Sequence, residues 1–295
     1  MDGKKIGKNR FVMKRLNPLK WNPTIPAAMS LLLRALKKFD RDHGFLLSSG
    51  IAFTVLLCMI PLSFLLLALM GAYLFSEQEV LIHIRDYLEN IFPSLDPQIM
   101  ENFLRIMQDR QIVGILGVGG LAWTSTWVFS SLRTALNLIF EVGKGRGVLR
   151  GKAVDFLMVL LAGIFLLMSM VFTSAINFFQ GYQYLFRIDI GPLLALILKY
   201  LLPFLFTFCM FFLIYKIAPN KIIPSAIAFK AASFTSLLWE MVKHLLGWYV
   251  LHLGRFSLVY GSLGTLVVFF LWIYYSAIIF LLGAEIAALM EKGKT

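Results

Sequence analysis

Six long apolar stretches run along the chain, covering 44–76, 111–132, 156–186, 190–215, 231–253 and 257–284. A membrane-crossing helix needs only ~20 apolar residues, so the pattern predicts a bilayer span at each stretch. The fold expected is all-α and polytopic, a bundle of six transmembrane helices. Ahead of it, residues 1–25 form a basic tail. Residues 26–42 follow as an interfacial amphipathic helix, with Met29, Leu32, Leu36 and Phe39 on one face and Arg34, Lys37, Lys38 and Arg41 elsewhere. The transmembrane domain covers 43–290, and 291–295 form a second tail.

Two breaks in the periodicity add detail. Pro61 lies inside the first span, where the missing N–H and the ring clash predict a kink that is a hinge for gating. Between the first two spans, segment 77–110 places Val80, Leu81, Ile84, Leu88 and Ile91 at helical spacing. Pro93 stops that run, and Asp96-Pro97 starts a second one carrying Phe103, Leu104 and Met107. Two amphipathic helices on the outer surface are expected there. Gly114, Gly117, Gly119 and Gly120 in the second span predict close helix packing, because apolar surface alone gives helices in lipid little reason to associate.

Composition agrees with a membrane protein. Hydrophobic residues make up 59% of the chain and charged residues 15%, against ~25% charged in soluble domains; the mean hydropathy is +0.78. Of the 28 Lys and Arg, 21 lie before the first span, in the second–third and fourth–fifth gaps, and in the tail. Cytoplasmic loops retain such residues, so both termini are expected in the cytoplasm. The outer segment instead holds seven acids, Glu77, Glu79, Asp86, Glu89, Asp96, Glu101 and Asp109. The +12 net charge is thereby read as an insertion signal facing anionic lipid, and nucleic acid is set aside as a partner. Cys58 and Cys209 both fall in spans and support neither a disulfide framework nor a metal site. The N-terminal segment lacks an A-x-A-like cleavage pattern.

Polar chemistry enters the membrane mainly in the fifth span. Ser233, Ser236, Glu240, Lys243 and Gly247 follow one another by three or four positions and line one face, with His244 beside them. A central charge costs ~2.5–3.5 kcal/mol on the insertion scale, so that face is expected to meet protein or water. Glu240 has two sources of pairing. Lys243 and His244 lie at i+3 and i+4 on its own helix, and Lys199 in the fourth span is the favoured partner across helices. Glu285, near the inner end of the sixth span, is expected in an interfacial ion pair with Lys or Arg of the loops. No HExxH, GxSxG or GxxxxGK[ST] motif occurs, the four histidines lack metal-ligand spacing, and no catalytic residue, cofactor or metal is expected.

Several motifs recur in a familiar order: Phe39-Asp40-Arg41, Ala52-Phe53-Thr54, Ile60-Pro61-Leu62, Leu132-Arg133-Thr134-Ala135-Leu136-Asn137 and Tyr215-Lys216-Ile217-Ala218-Pro219-Asn220. Trp239-Glu240, Tyr260-Gly261-Ser262-Leu263-Gly264, Leu271-Trp272 and Gly283-Ala284-Glu285 complete the series. Over about residues 35–290 this resembles the YihY/BrkB family of bacterial inner-membrane proteins, formerly labelled ribonuclease BN. The resemblance implies six spans, cytoplasmic termini, and a role in transport, the envelope or lipid handling. The function expected is the handling of a lipid or other amphiphile along Lys199, Ser233, Ser236, Glu240, Lys243 and His244, with Pro61 as the hinge. Membrane lipids are the expected partners. The alternative is an envelope scaffold that binds a protein partner through the outer helices, and a ribonuclease stands a distant third.

Overall fold

A computed structural model describes residues 27–74, 110–143, 147–181, 201–253 and 262–293. The described residues form seven helices: α1 (Ala27–Arg41), α2 (Gly44–Leu74), α3 (Arg110–Ile139), α4 (Val148–Gly181), α5 (Leu202–Ile217), α6 (Ser225–Leu253) and α7 (Ser262–Lys292). The fold is all-α, as the apolar pattern predicts. Three helices are long and apolar enough to cross a bilayer, over Gly44–Leu69, Gln111–Ile139 and Leu266–Lys292; Leu202–Ile217 is apolar but shorter. The expected outer helices at 77–110 fall outside the described residues apart from Arg110, the first residue of α3.

α2 and α3 form the most extensive helix pair. A side chain on Gly117 would stand 2.8 Å from the Leu65 backbone nitrogen, and one on Gly120 would stand 2.9 Å from Pro61 Cβ. These glycines let the two backbones touch, and helix continues through both Gly120 and Pro61. Toward the other end of the pair, Gly50 opposes Ser130, Ser131 and Thr134 across an open cleft of about 240 Å³. Hydroxyls inside these helices mostly turn back on their own backbone. Thr54, Ser63, Thr124 and Thr134 each donate to a carbonyl three or four residues earlier, so they need no solvent.

The packed core lies at one end of the bundle, where α7 is the central element. Every residue from Ile279 to Ala288 is buried, the mark of a helix surrounded on all sides. Around it stand Ala35 and Phe39 of α1, Leu136 and Ile139 of α3, Ile214 and Tyr215 of α5, and Ala228, Ala231 and Ala232 of α6. The basic segments converge here too. Glu141, after α3, pairs with Lys292 at 2.6 Å and with Arg41 at 3.9 Å, and Lys221, before α6, pairs with Glu291 at 2.9 Å.

Three expectations need correction. Arg133 is not a loop residue: α3 continues through it to Ile139, and α4 begins at Val148, so both Arg133 and Asp155 are helical. α1 does not present one apolar face to the bundle: Ala35 and Phe39 are buried and Leu32 packs on the core, while Met29 and Leu36 are exposed. Lys38 belongs to the buried side, because a carboxylate waits for it there.

Candidate functional site

α6 starts just after Pro224, which cannot donate within a helix, and docks its first turns through Ile227, Ala228, Ala231 and Ala232. These small side chains bring the helix close to α5 and α7. The predicted polar face then divides along its length. Ser233 donates back to Phe229 O at 2.9 Å. Ser236 is fully buried, and its hydroxyl has no hydrogen-bond partner among the described residues.

One turn further on, Glu240 Oε2 stands 2.5 Å from Lys243 Nζ and 3.8 Å from His244 Nε2. Its other oxygen is buried and has no partner among the described residues. Glu240 is 21% exposed at the side chain, Lys243 43% and His244 68%, so the carboxylate faces inward and the two nitrogen-bearing side chains outward. Lys199 lies outside the described residues, and the partner Glu240 takes among them is the one on its own helix. Trp239, the residue before it, meets Trp272 of α7 at a tilt at 5.0 Å and Phe211 of α5 edge-on at 5.8 Å. Pro61 is buried against Gly120, on the α2–α3 seam and away from this face.

Glu285 is fully buried, which an interfacial pair with a flexible loop would not require. Its partner is Lys38 of α1, at 2.5 Å; the same ammonium also donates to Asp42 at 2.6 Å and to Ile139 O at 3.0 Å. All three ammonium hydrogens are thus used, and α1 is fixed to α3 and α7. Asp42, in the turn after α1, has its carboxyl pulled below the ordinary 3.8. Burial alone would raise it, but hydrogen bonds and charges from Lys38 and Arg41 outweigh burial.

Other bonds at this end escaped the sequence reading. Arg133 holds buried Asp155 bidentately, Nε to Oδ1 at 2.8 Å and Nη2 to Oδ2 at 3.0 Å. Gly151 leaves room for the guanidinium, since a Cβ there would sit 2.9 Å from Nη1. Tyr215 donates to Phe280 O at 2.6 Å and meets Thr235 Oγ1 at 2.9 Å. Asn137 accepts from the Asn220 backbone at 2.8 Å and so ties α3 to the α5–α6 turn. The signal available for Asp155 was a lone acid at the edge of an apolar run. Among the described residues, no three His, Cys, Asp or Glu side chains converge as metal ligands would.

An all-helical bundle with bilayer-length apolar helices and a charged pair inside another largely apolar helix is the structure of a polytopic membrane protein. The chain belongs to the virulence factor BrkB family, whose model matches residues 35–295. A UPF0761 membrane protein of Prosthecochloris aestuarii is 30% identical over 84% of this chain, which spans 58% of that relative's length. Another, from Pseudoalteromonas atlantica, is 26% identical over 90% of this chain and 88% of its own. A Bacillus subtilis protein named as ribonuclease-like, YfkH, is 27% identical over 90% of this chain and 97% of its own. No solved structure matches this chain. Arg133, Asn137, Tyr215, Gly283 and Glu285, all within the resemblance motifs, make the bonds or close approaches of the packed end.

Proposed function

We propose that the protein is a six-span inner-membrane protein, with both termini cytoplasmic, that moves a lipid or other amphiphile along the polar face of α6. The observation that carries this reading is the pair of buried oxygens on Ser236 and Glu240 that have no partner among the described residues, one helical turn apart beside Lys243 and His244. A buried polar atom without a partner costs ~1–3 kcal/mol. Water or the polar group of a passing amphiphile would remove that cost, whereas a purely structural helix gains nothing from keeping it. Intramembrane charge is a functional signal by default.

Two further observations support the topology. α4 and α6 hold 34 and 29 residues, enough to cross at 1.5 Å per residue. The described residues of the four basic segments, among them Arg41, Lys221 and Lys292, also meet at one end of the bundle, which agrees with a single cytoplasmic face. In the absence of a nucleotide-binding motif, the movement is passive, ion-coupled or driven by a partner.

The test is flux in proteoliposomes. Glu240→Gln and Ser236→Ala are expected to lower lipid movement at least tenfold, with monodisperse elution in detergent unchanged, and Lys199→Met to lower it as well. Normal flux in folded Glu240→Gln and Ser236→Ala protein would make the α6 face a packing surface. The nuclease name of the Bacillus relative is not extended to this chain: any RNA cleavage is expected to separate from the protein on chromatography and to survive loss of all four histidines. Activity that co-elutes with the protein and vanishes on a single substitution would restore that reading.

A further inference from the structure

α1 has three sides. At 100° per residue, Leu32, Ala35, Lys38 and Phe39 fall in one arc, and that arc is packed on the core. Met29, Leu33 and Leu36 fall in a second, each about half exposed, with Asp40 at its last turn. Arg34, Lys37 and Arg41 fall in a third arc, also exposed, lying between the other two. Nothing among the described residues covers the second and third arcs.

Charge is unevenly matched around these arcs. Arg41 is engaged by Asp42 at 3.0 Å and Glu141 at 3.9 Å, and Asp42 is further occupied by Lys38. Arg34 and Lys37 have no acidic partner among the described residues. They stand one turn apart and point to the same side.

We infer that α1 binds anionic phospholipid, with Arg34 and Lys37 on the phosphate and Met29, Leu33 and Leu36 among the first acyl carbons. The position of the helix supports this occupant. Lys38 bonds Ile139 O, the last residue of α3, and Glu285, near the end of α7, so α1 lies at the depth where apolar spans give way to charged segments. At that boundary, hydrocarbon and phosphate stand side by side, as the two free arcs of α1 do. RNA or an acidic soluble protein would satisfy the cations and leave the apolar arc in water.

The binding surface belongs to a helix that is itself fixed to α7 through Lys38. The inference stands whether or not α6 conducts. It concerns the lipid that holds α1, and that lipid differs from any substrate in staying at the surface.

The experiment uses the full chain with Cys58 and Cys209 replaced by Ser and a bimane label at Leu33→Cys, reconstituted in phosphatidylcholine vesicles. Equal small fractions of brominated phosphatidylglycerol or brominated phosphatidylcholine are added, and quenching is compared. Brominated phosphatidylglycerol is expected to quench more strongly at low salt, by a local enrichment of roughly fivefold or more. The preference should fall in high salt and vanish in Arg34→Gln/Lys37→Gln, whose side chains are exposed and whose loss leaves the fold intact. A second label at Met29→Cys gives the same reading should Leu33→Cys fail to fold. Equal quenching by the two lipids, a preference untouched by the double substitution, or no quenching by either lipid would each overturn the inference.

Discussion

Gly283 illustrates how closely single residues are fixed at the packed end. A Cβ there would collide with Thr235 Oγ1 and stand 2.5 Å from the Tyr215 hydroxyl. Gly283→Ala is expected to cost ~1–3 kcal/mol by overpacking, read as a lower thermal midpoint in detergent; adding Thr235→Ala should restore part of it. Asp42 makes a second prediction. Its folded-state pKa lies below the unfolded value, so its contribution is complete above that ordinary value of 3.8 and is lost as pH falls through the depressed one. Loss of the Asp42 contribution to holding α1 should therefore begin only below about pH 4, and Asp42→Asn should make α1, followed by the bimane label, easier to release at neutral pH. Little of this was legible from sequence. Glu240 was, because charge in an apolar run is visible at once, and its pairing with Lys243 follows from i+3 spacing. Asp155 and Thr235 were not, because what distinguishes them is a partner on another helix.

Elements were easier to read, since hydrophobic length alone announces a membrane helix. The packing role of the glycines was also legible, and their register can now be tested. Gly117 faces the Leu65 backbone, whereas a Cβ on Gly119 would meet nothing within 4 Å. Gly117→Val should lower the thermal midpoint strongly, by the equivalent of ~1–3 kcal/mol or more, and Gly119→Val should leave it nearly unchanged. Equal effects would mean that α2 and α3 pack in another register. The face of α1 was misread because amphipathicity reports that a helix has a polar and an apolar side, not how many surfaces share them. Lys38 counted as one more surface cation until Glu285 supplied a buried reason for it. The helix ends were read short at 132 and 156 because loop assignment followed charge, and Arg133 and Asp155 neutralise each other inside the helices.

Across the whole molecule, topology is the claim on which the proposed function depends. Cysteine labelling at Lys144 and Asn220 is expected to report the cytoplasm, and at Asp96 and Arg255 the outside. One reversed position would break the six-span reading. The packed end has its own test. Glu285→Gln or Lys38→Met alone leaves a buried charge poorly compensated, at a cost of ~3–5 kcal/mol when such a pair is broken. The double substitution should be less damaging than the two singles added together, and simple additivity would show that the pair does not couple α1 to α7.

Lys38 and Glu285 are 247 positions apart in the chain. At the usual ~5–20 residues per second, roughly ten to fifty seconds separate the synthesis of the first from that of the second. Throughout that interval, the earliest helix carries an ammonium whose carboxylate on α7 does not yet exist. The α1–α7 contact therefore closes only after the helices between them have been made. A chain stopped before residue 285 would leave Lys38 without that carboxylate, with only Asp42 and the Ile139 carbonyl to hold its ammonium.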